Sequence, residues 1–124
     1  MSEDIYSFEI SFYETLDQRS DKDGRVIELL AQLYTKVGRI EDGLSMDLRL
    51  SKLRPKDPMV HYNLACSLAL VGQTEESVSV LRQSIEFGYT DFDWLLQDKD
   101  LDSIRNLDSY GRLMKDIGIP ATNE

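Results

Sequence analysis

The chain carries few of the side chains from which an enzyme could build a nucleophile, an acid–base pair or a metal centre. It has one histidine and one cysteine, His61 and Cys66, which lie five positions apart. On a helix this separation turns the two side chains about 140° apart, so they cannot form a catalytic dyad. We expect Cys66 to act as a small apolar residue, with a regulatory thiol as the alternative.

Three aspartates at alternate positions, Asp98, Asp100 and Asp102, are similar to the start of a calcium-binding loop. The rest of such a loop is missing, because its sixth position should be glycine and is Ser103, and its twelfth should be glutamate and is Ser109. Helix capping and solvation account for these aspartates. We therefore expect no metal, no other cofactor and no enzymatic activity.

Length and charge narrow the possible functions further. The 124 residues, 41% of them hydrophobic, are enough for one domain with a continuous core. The 14 basic and 23 acidic residues give a net charge of −9, which disfavours nucleic acid and anionic membranes as partners. A basic partner, or a neutral one held by apolar contacts, fits better. The alternative is that the charge serves only solubility.

The sequence also suggests where the chain resides. Its first residues, MSEDIYSFEI, contain no basic segment and no apolar run long enough for a secretory signal. No run of about 18 apolar residues predicts a membrane span. A single cysteine cannot form an intramolecular disulfide, so we expect a reducing, cytoplasmic setting.

The segment Pro58–Tyr89 predicts two consecutive helices, around which the rest of the chain is organised. Asp57 is placed to cap the first helix, Pro58 to begin it and Gly72 to end it, and Thr74 is placed to cap the second. The apolar residues recur at intervals of three and four, which gathers them on one face of each helix. They are Val60, Leu64, Leu68 and Val71 in the first helix, and Val78, Leu81 and Ile85 in the second.

The same pattern occurs 34 residues earlier in the chain. Leu30-Ala31 and Gly38 match Leu64-Ala65 and Gly72 at that spacing. A period in the thirties built from two helices predicts a stacked helical repeat. Aspartates precede each first helix at the same interval, and they are Asp23, Asp57 and Asp91.

A third copy begins after Asp91 and then loses the pattern, because Asp98 stands where the other copies have leucine. Its helix should end near Gln97, with Trp94 in the core or capping the stack. We predict a short helix over residues 101–105, capped by Asp100, and a longer one over 109–117, capped by Asp108.

At the other end, residues 5–20 predict a helix that covers the edge of the stack as half of an incomplete repeat. Its apolar stripe consists of Ile5, Phe8, Phe12 and Leu16.

These motifs resemble the tetratricopeptide repeat, a 34-residue antiparallel helix pair. The second copy matches at Tyr62-Asn63-Leu64-Ala65, Leu68, Gly72, Glu75-Glu76 and the small Ser77 and Ser84. The first copy matches at Leu30-Ala31, Tyr34, Gly38, Glu41-Asp42 and Pro55. The pattern departs from the family at Gly43, Asp47, Leu50 and Tyr89. His61 stands where the family has a bulky residue packed between the helices, so the resemblance implies that role for it. The aspartate-rich tail is similar to the closing element of bacterial tetratricopeptide repeat proteins.

The resemblance implies an all-α fold, a short helical-repeat solenoid of about seven helices. It would form a single domain with a capping helix over 5–20, repeats over 24–57 and 58–91, and a degenerate repeat and cap over 92–118.

In this family the first helix of each repeat lines a concave groove that binds proteins or peptides. The resemblance therefore implies a binding face of Arg25, Glu28, Gln32, Thr35 and Lys36 in the first copy, and of Met59, Tyr62, Asn63, Cys66 and Ala69 in the second. We expect non-enzymatic binding of a protein or peptide segment. One alternative is that the face is only solvated scaffold. Another is self-association through apolar edges at the first helix or near Trp94, which would make the chain a structural homo-oligomer.

Overall fold

The computed structural model describes residues 2–20 and 22–120, with side chains from residue 5 onward. Those residues contain seven α-helices, one 3₁₀ helix and no strand, which confirms the predicted all-α, repeat-like fold. The chain divides into two units, Met1–Pro55 and Lys56–Glu124.

The first unit consists of three α-helices. They are α1 (Ser2–Arg19), α2 (Gly24–Lys36) and α3 (Ile40–Leu53). Asp17 and Arg49 connect α1 to α3 through two 2.8 Å hydrogen bonds, a bidentate geometry that fixes direction as well as distance. The apolar cluster of this unit contains the buried side chains of Ile10, Val26, Leu30, Leu33 and Tyr34.

The second unit contains the remaining helices. They are α4 (Pro58–Leu70), α5 (Thr74–Glu86), α6 (Phe92–Gln97), the 3₁₀ helix Lys99–Ile104 and α7 (Asp108–Asp116). Its core joins α4 and α5 to the C-terminal helices. The fully buried members of that core include Leu81, Leu95, Leu101, Ile104, Leu113 and Met114.

The 34-residue period governs the helix boundaries. The helices α2, α4 and α6 begin at Gly24, Pro58 and Phe92, and the carboxylates of Asp23, Asp57 and Asp91 accept hydrogen bonds from the first amides of these helices. The three predicted caps are therefore confirmed.

Both helix pairs pack closely through small residues one period apart. Ser77 Oγ donates a 2.7 Å hydrogen bond to the carbonyl oxygen of Ala65. At the equivalent place in the first unit, a Cβ on Gly43 would lie 2.8 Å from Thr35 Oγ1 and 3.5 Å from the carbonyl oxygen of Ala31. A larger side chain at either position would force the two helices apart.

Several predicted helix ends differ by a residue or two. Helix α5 begins at Thr74 with Gln73 as its cap residue, and the Thr74 side chain makes no capping bond. The 3₁₀ helix is capped by Asp98, not by Asp100, and α7 already begins at Asp108. The aspartate-rich loop contains several aspartates that could cap a helix, and the backbone conformation determines which of them does so.

Three of the four residues in the predicted apolar stripe of α1 face solvent, and the fourth, Leu16, packs against the apolar cluster of the first unit. Ile10 is the buried residue, whereas Ile5, Phe8 and Phe12 are 70%, 79% and 51% exposed. Helix α1 has apolar residues on two sides, so periodicity alone could not tell which side meets α2. Trp94 is also exposed, at 51%, because the inward position of the short helix α6 is filled by Leu95.

Candidate binding surface

Helix α2 presents one of the two predicted faces, and most of that face is open. The opposite side of α2 is buried through Val26, Ile27, Leu30, Ala31, Leu33 and Tyr34. Arg25, Gln32 and Lys36 are exposed, and Leu29 beside them is 39% exposed. The buried core of α2 includes neither Arg25 nor Lys36, and both side chains are open to solvent.

Two of the predicted α2 residues are engaged within the unit. The carboxylate of Glu28 lies 3.5 Å from the guanidinium of Arg54, and Thr35 Oγ1 donates to the carbonyl oxygen of Ala31 at 3.0 Å. Both side chains are half-buried. The ammonium of Lys36 lies 5.2 Å from the centre of the Tyr6 ring, a favourable but exposed cation–π contact. Among the predicted residues of this face, Arg25 and Lys36 are therefore the charged side chains that remain exposed.

The second predicted face, on α4, is mostly closed. Met59 and Asn63 are exposed, but Tyr62, Cys66 and Ala69 are only 2%, 7% and 3% exposed. The expectation that all five line an open surface is therefore wrong for these three. Their position is covered by the C-terminal helices of the same unit, where Ser103 Oγ donates to the carbonyl oxygen of Ala69 at 3.0 Å.

The carboxylate of Asp98 connects α4 to the covering segment. One carboxylate oxygen accepts from Tyr62 Oη at 2.7 Å and lies 3.6 Å from Cys66 Sγ, and the other accepts from the amide of Asp100 at 3.0 Å. Asp98 itself is 7% exposed. A buried carboxylate needs such donors, because burying its charge without them would be costly.

Arg105 completes this polar cluster. Its guanidinium donates to the carbonyl oxygens of Leu95 and Asp98 at 2.9 and 2.7 Å and to Tyr110 Oη at 2.8 Å. These bonds satisfy backbone groups at the end of α6, where the helix leaves carbonyls without partners. Neither Arg105 nor the cluster role of Asp98 was predicted from the sequence, although the loss of the repeat pattern at Asp98 marks the place.

Two groups that contact Asp98, the Cys66 thiol and the Tyr62 hydroxyl, have raised pKa values. Burial is the largest cause of both shifts, and the nearby Asp98 contributes to each of them. Burial likewise raises the pKa of Tyr89, whose ring stacks on that of Tyr62 at 4.2 Å, to about 12. The thiol of Cys66 is therefore protonated and unreactive at neutral pH.

Cys66, Asp98 and Asp100 are the described residues whose ligand atoms come close enough to suggest a metal, with all of these atoms within 4.8 Å of one another. The hydrogen bonds of Asp98 account for this arrangement without an ion. A protonated thiol is also a poor ligand, because metals bind the thiolate. His61 lies apart from this group, with its ring edge against Phe87 at 5.0 Å and its Nδ1 2.9 Å from the carbonyl oxygen of Asp57. It packs between helices, as predicted.

No helix in the described parts of the chain is both long enough and apolar enough to cross a membrane.

Comparison with known proteins gives a distant relative from a plant. The chain is 28% identical over 120 residues to a chloroplastic protein of Arabidopsis thaliana. The similarity covers 94% of this chain but only 36% of that protein, so the chain spans about a third of its relative's length. No family model matches the chain, and no solved structure matches it.

Proposed function

We propose that this chain is a non-enzymatic module that binds a segment of another protein through the exposed face of α2. The observation that supports this proposal is that Arg25, Gln32 and Lys36 project from a helix whose other side is packed in the core. A rigid helix that displays polar side chains on one face can bind with little loss of conformational entropy. The resemblance to tetratricopeptide repeats supports the same role, because that family binds through this face.

The contribution of the second unit to binding is smaller than the sequence suggests. Its available residues on the α4 face are Met59 and Asn63, since the three others are covered. Met59 is 51% exposed and offers a flexible apolar contact. The charged contacts of the proposed binding face would therefore lie on α2.

Selection from a phage-displayed library of random 12-residue peptides tests this proposal. The full chain is immobilised, and the affinity of a selected peptide is then measured by fluorescence anisotropy. We expect Arg25→Ala and Lys36→Ala each to weaken binding about fivefold, the scale of one exposed charged contact. Arg112→Ala, which removes a cation of α7 far from this face in the sequence, is the matched control and should bind normally. Equal binding by all three variants would contradict the proposal.

Self-association is the second candidate function, and the exposure of Phe8 and Trp94 favours it. Large exposed aromatic side chains often mark contact surfaces. Sedimentation velocity of the full chain over a hundredfold range of concentration separates the two candidates. A mass that doubles with concentration, and that Phe8→Ser or Trp94→Ser returns to that of the monomer, would establish the structural role.

The cellular setting is also a proposal. The sequence predicts the cytoplasm, because a single cysteine cannot form a disulfide within the chain. The name of the Arabidopsis relative places that protein in the chloroplast, so a plastid is the second setting we propose to examine.

A further inference from the structure

The outer side of α1 carries the most exposed apolar side chains of the described residues. Ile5, Phe8 and Phe12 are 70%, 79% and 51% exposed, and they lie within about 60° of one another around the helix. Together they expose roughly 350 Å² of mainly apolar surface, which is within the size range of functional patches on soluble proteins. This outer stripe is distinct from the α2 face of the proposed function.

Glu9 adds a charge to the outer stripe. It lies four residues after Ile5 and three before Phe12, so it is their neighbour on the helix surface. Its side chain is exposed and forms no hydrogen bond or ion pair with the residues that the structure describes. Two other carboxylates of α1 have partners within the unit, since Glu14 accepts from Tyr34 and Asp17 from Arg49.

The repeat period shows what Glu9 does to packing. Position 9 is one period before Gly43 and two periods before Ser77, the small residues at which α3 and α5 meet their partner helices. A helix that packed on α1 as α2 packs on α3, or as α4 packs on α5, would contact the Glu9 carboxylate. If that helix had an alanine at the contact, as α2 has Ala31 and α4 has Ala65, it would bury the charge of Glu9 without a partner, which is costly. A lysine or arginine in the docking helix would pair with it.

A second copy of the chain fits the outer stripe poorly. An antiparallel pair of α1 helices centred on Phe8 brings the two Glu9 side chains together, and like charges placed opposite each other at an interface are unfavourable. In another antiparallel register, Glu9 of one copy would pair with Arg19 of the other. Phe8 would then lie beyond the end of the other copy's helix, because Arg19 is the last residue of α1.

From this apolar stripe and the exposed Glu9 beside it, we infer that α1 docks an amphipathic helix of a different protein. That helix carries apolar residues on one face and a lysine or arginine opposite Glu9. The bidentate bond between Asp17 and Arg49 holds α1 in place within its unit, so the surface is preformed. The negative net charge of the chain favours the approach of a basic helix.

Two synthetic peptides of about 18 residues test the inference. They share a leucine stripe and differ only in a central lysine or glutamate, and their binding to the full chain is measured by fluorescence anisotropy at low salt. We expect the lysine peptide to bind about fivefold more tightly, and Glu9→Lys to reverse that preference. Phe8→Ser should weaken both peptides about tenfold, because it removes an exposed aromatic contact.

Two controls isolate the site. Glu86→Lys changes the net charge equally on α5 and should keep the preference for lysine. Trp94→Ser removes an exposed aromatic residue elsewhere and should bind both peptides normally. A preference that does not follow residue 9, unchanged binding by Phe8→Ser, or no binding of either peptide would overturn the inference. A dimer of the unmodified chain that Phe8→Ser dissociates would also overturn it, in favour of a second copy as the occupant.

Discussion

Asp98 is the residue on which the covering of α4 depends. It stands at the place where the third copy loses the repeat pattern, and its buried carboxylate accepts from Tyr62 and from the amide of Asp100 in the 3₁₀ helix. The two earlier copies have the buried leucines Leu30 and Leu64 at this position, inside α2 and α4. Here a single polar residue ends α6 and attaches the following segment to α4.

Replacing Asp98 with alanine should therefore destabilise the protein strongly. The change leaves the Tyr62 hydroxyl and the Asp100 amide without their acceptor, at a combined cost of about 2–4 kcal/mol. Tyr62→Phe removes only the hydroxyl and should cost about 1 kcal/mol. Urea unfolding followed by circular dichroism measures both values.

A matched control for Asp98→Ala is Asp93→Ala, which alters an exposed aspartate of the neighbouring helix. It should change the free energy of unfolding by no more than about 0.5 kcal/mol. The double variant with Tyr62→Phe and Asp98→Ala should lose less than the sum of the single variants, because both remove the same bond. Additive losses would show that the bond does not hold the two segments together.

Cys66 predicts how stability changes in mild alkali. Burial and the nearby Asp98 raise the pKa of its thiol in the folded chain, whereas a thiol in the unfolded chain has a pKa of about 8.5. The folded state thus retains a proton that the unfolded state releases. The contribution of Cys66 to the free energy of unfolding is therefore fully present below about pH 8.5. Above that pH it falls by up to about 1.4 kcal/mol per pH unit.

Urea unfolding at pH 8.0, 9.0 and 9.5 measures this slope. That range stays below the pKa of about 10 at which an unfolded tyrosine is half ionised, so the buried tyrosines add only a smaller part of the slope. Cys66→Ser keeps a small hydroxyl near Asp98 but does not titrate there, so the variant should lose most of the slope. The chain has one cysteine, and the difference between the two proteins therefore belongs to Cys66 alone. An equal slope in both proteins would assign the alkaline effect to other groups.

At the scale of the helices, local signals in the sequence were enough to place most elements. Asp23, Asp57 and Asp91 each cap a helix at the predicted residue, and Gly38 and Gly72 adopt the left-handed φ of 87° and 88° that ends a helix. These signals act over a few residues and need no knowledge of the tertiary contacts. The 34-residue period then predicted the pairing of α2 with α3 and of α4 with α5.

The same local signals could not predict which helix faces are covered. Tyr62 occupies a position that the resemblance assigns to an open groove, yet Asp98 and the 3₁₀ helix bury it from 36 residues further along the chain. Phe8 has the spacing of a core residue, yet the core side of α1 is the one with Ile10. Both outcomes depend on long-range packing, which helical periodicity does not contain.

At the scale of the whole molecule, the excess of acidic residues should reduce stability at neutral pH. The 23 acidic residues outnumber the 14 basic ones by nine, and the ion pairs of the described residues, such as Arg39–Asp42 and Arg82–Asp116, involve partly exposed side chains. Exposed pairs contribute at most about 1 kcal/mol each and often nothing measurable. Repulsion among the remaining acids opposes the compact state.

Added salt should therefore stabilise this protein. Raising NaCl from 20 mM to 0.5 M at pH 7.5 shortens the screening length to a few ångström, which weakens repulsion among exposed acids more than attraction within close pairs. We expect the free energy of unfolding in urea to rise by up to about 1 kcal/mol.

Glu9→Gln combined with Glu86→Gln removes two acids and changes the net charge from −9 to −7. That variant should start more stable at low salt and gain less from NaCl. A loss of stability in 0.5 M NaCl would mean that the ion pairs contribute more to the fold than the repulsion takes from it.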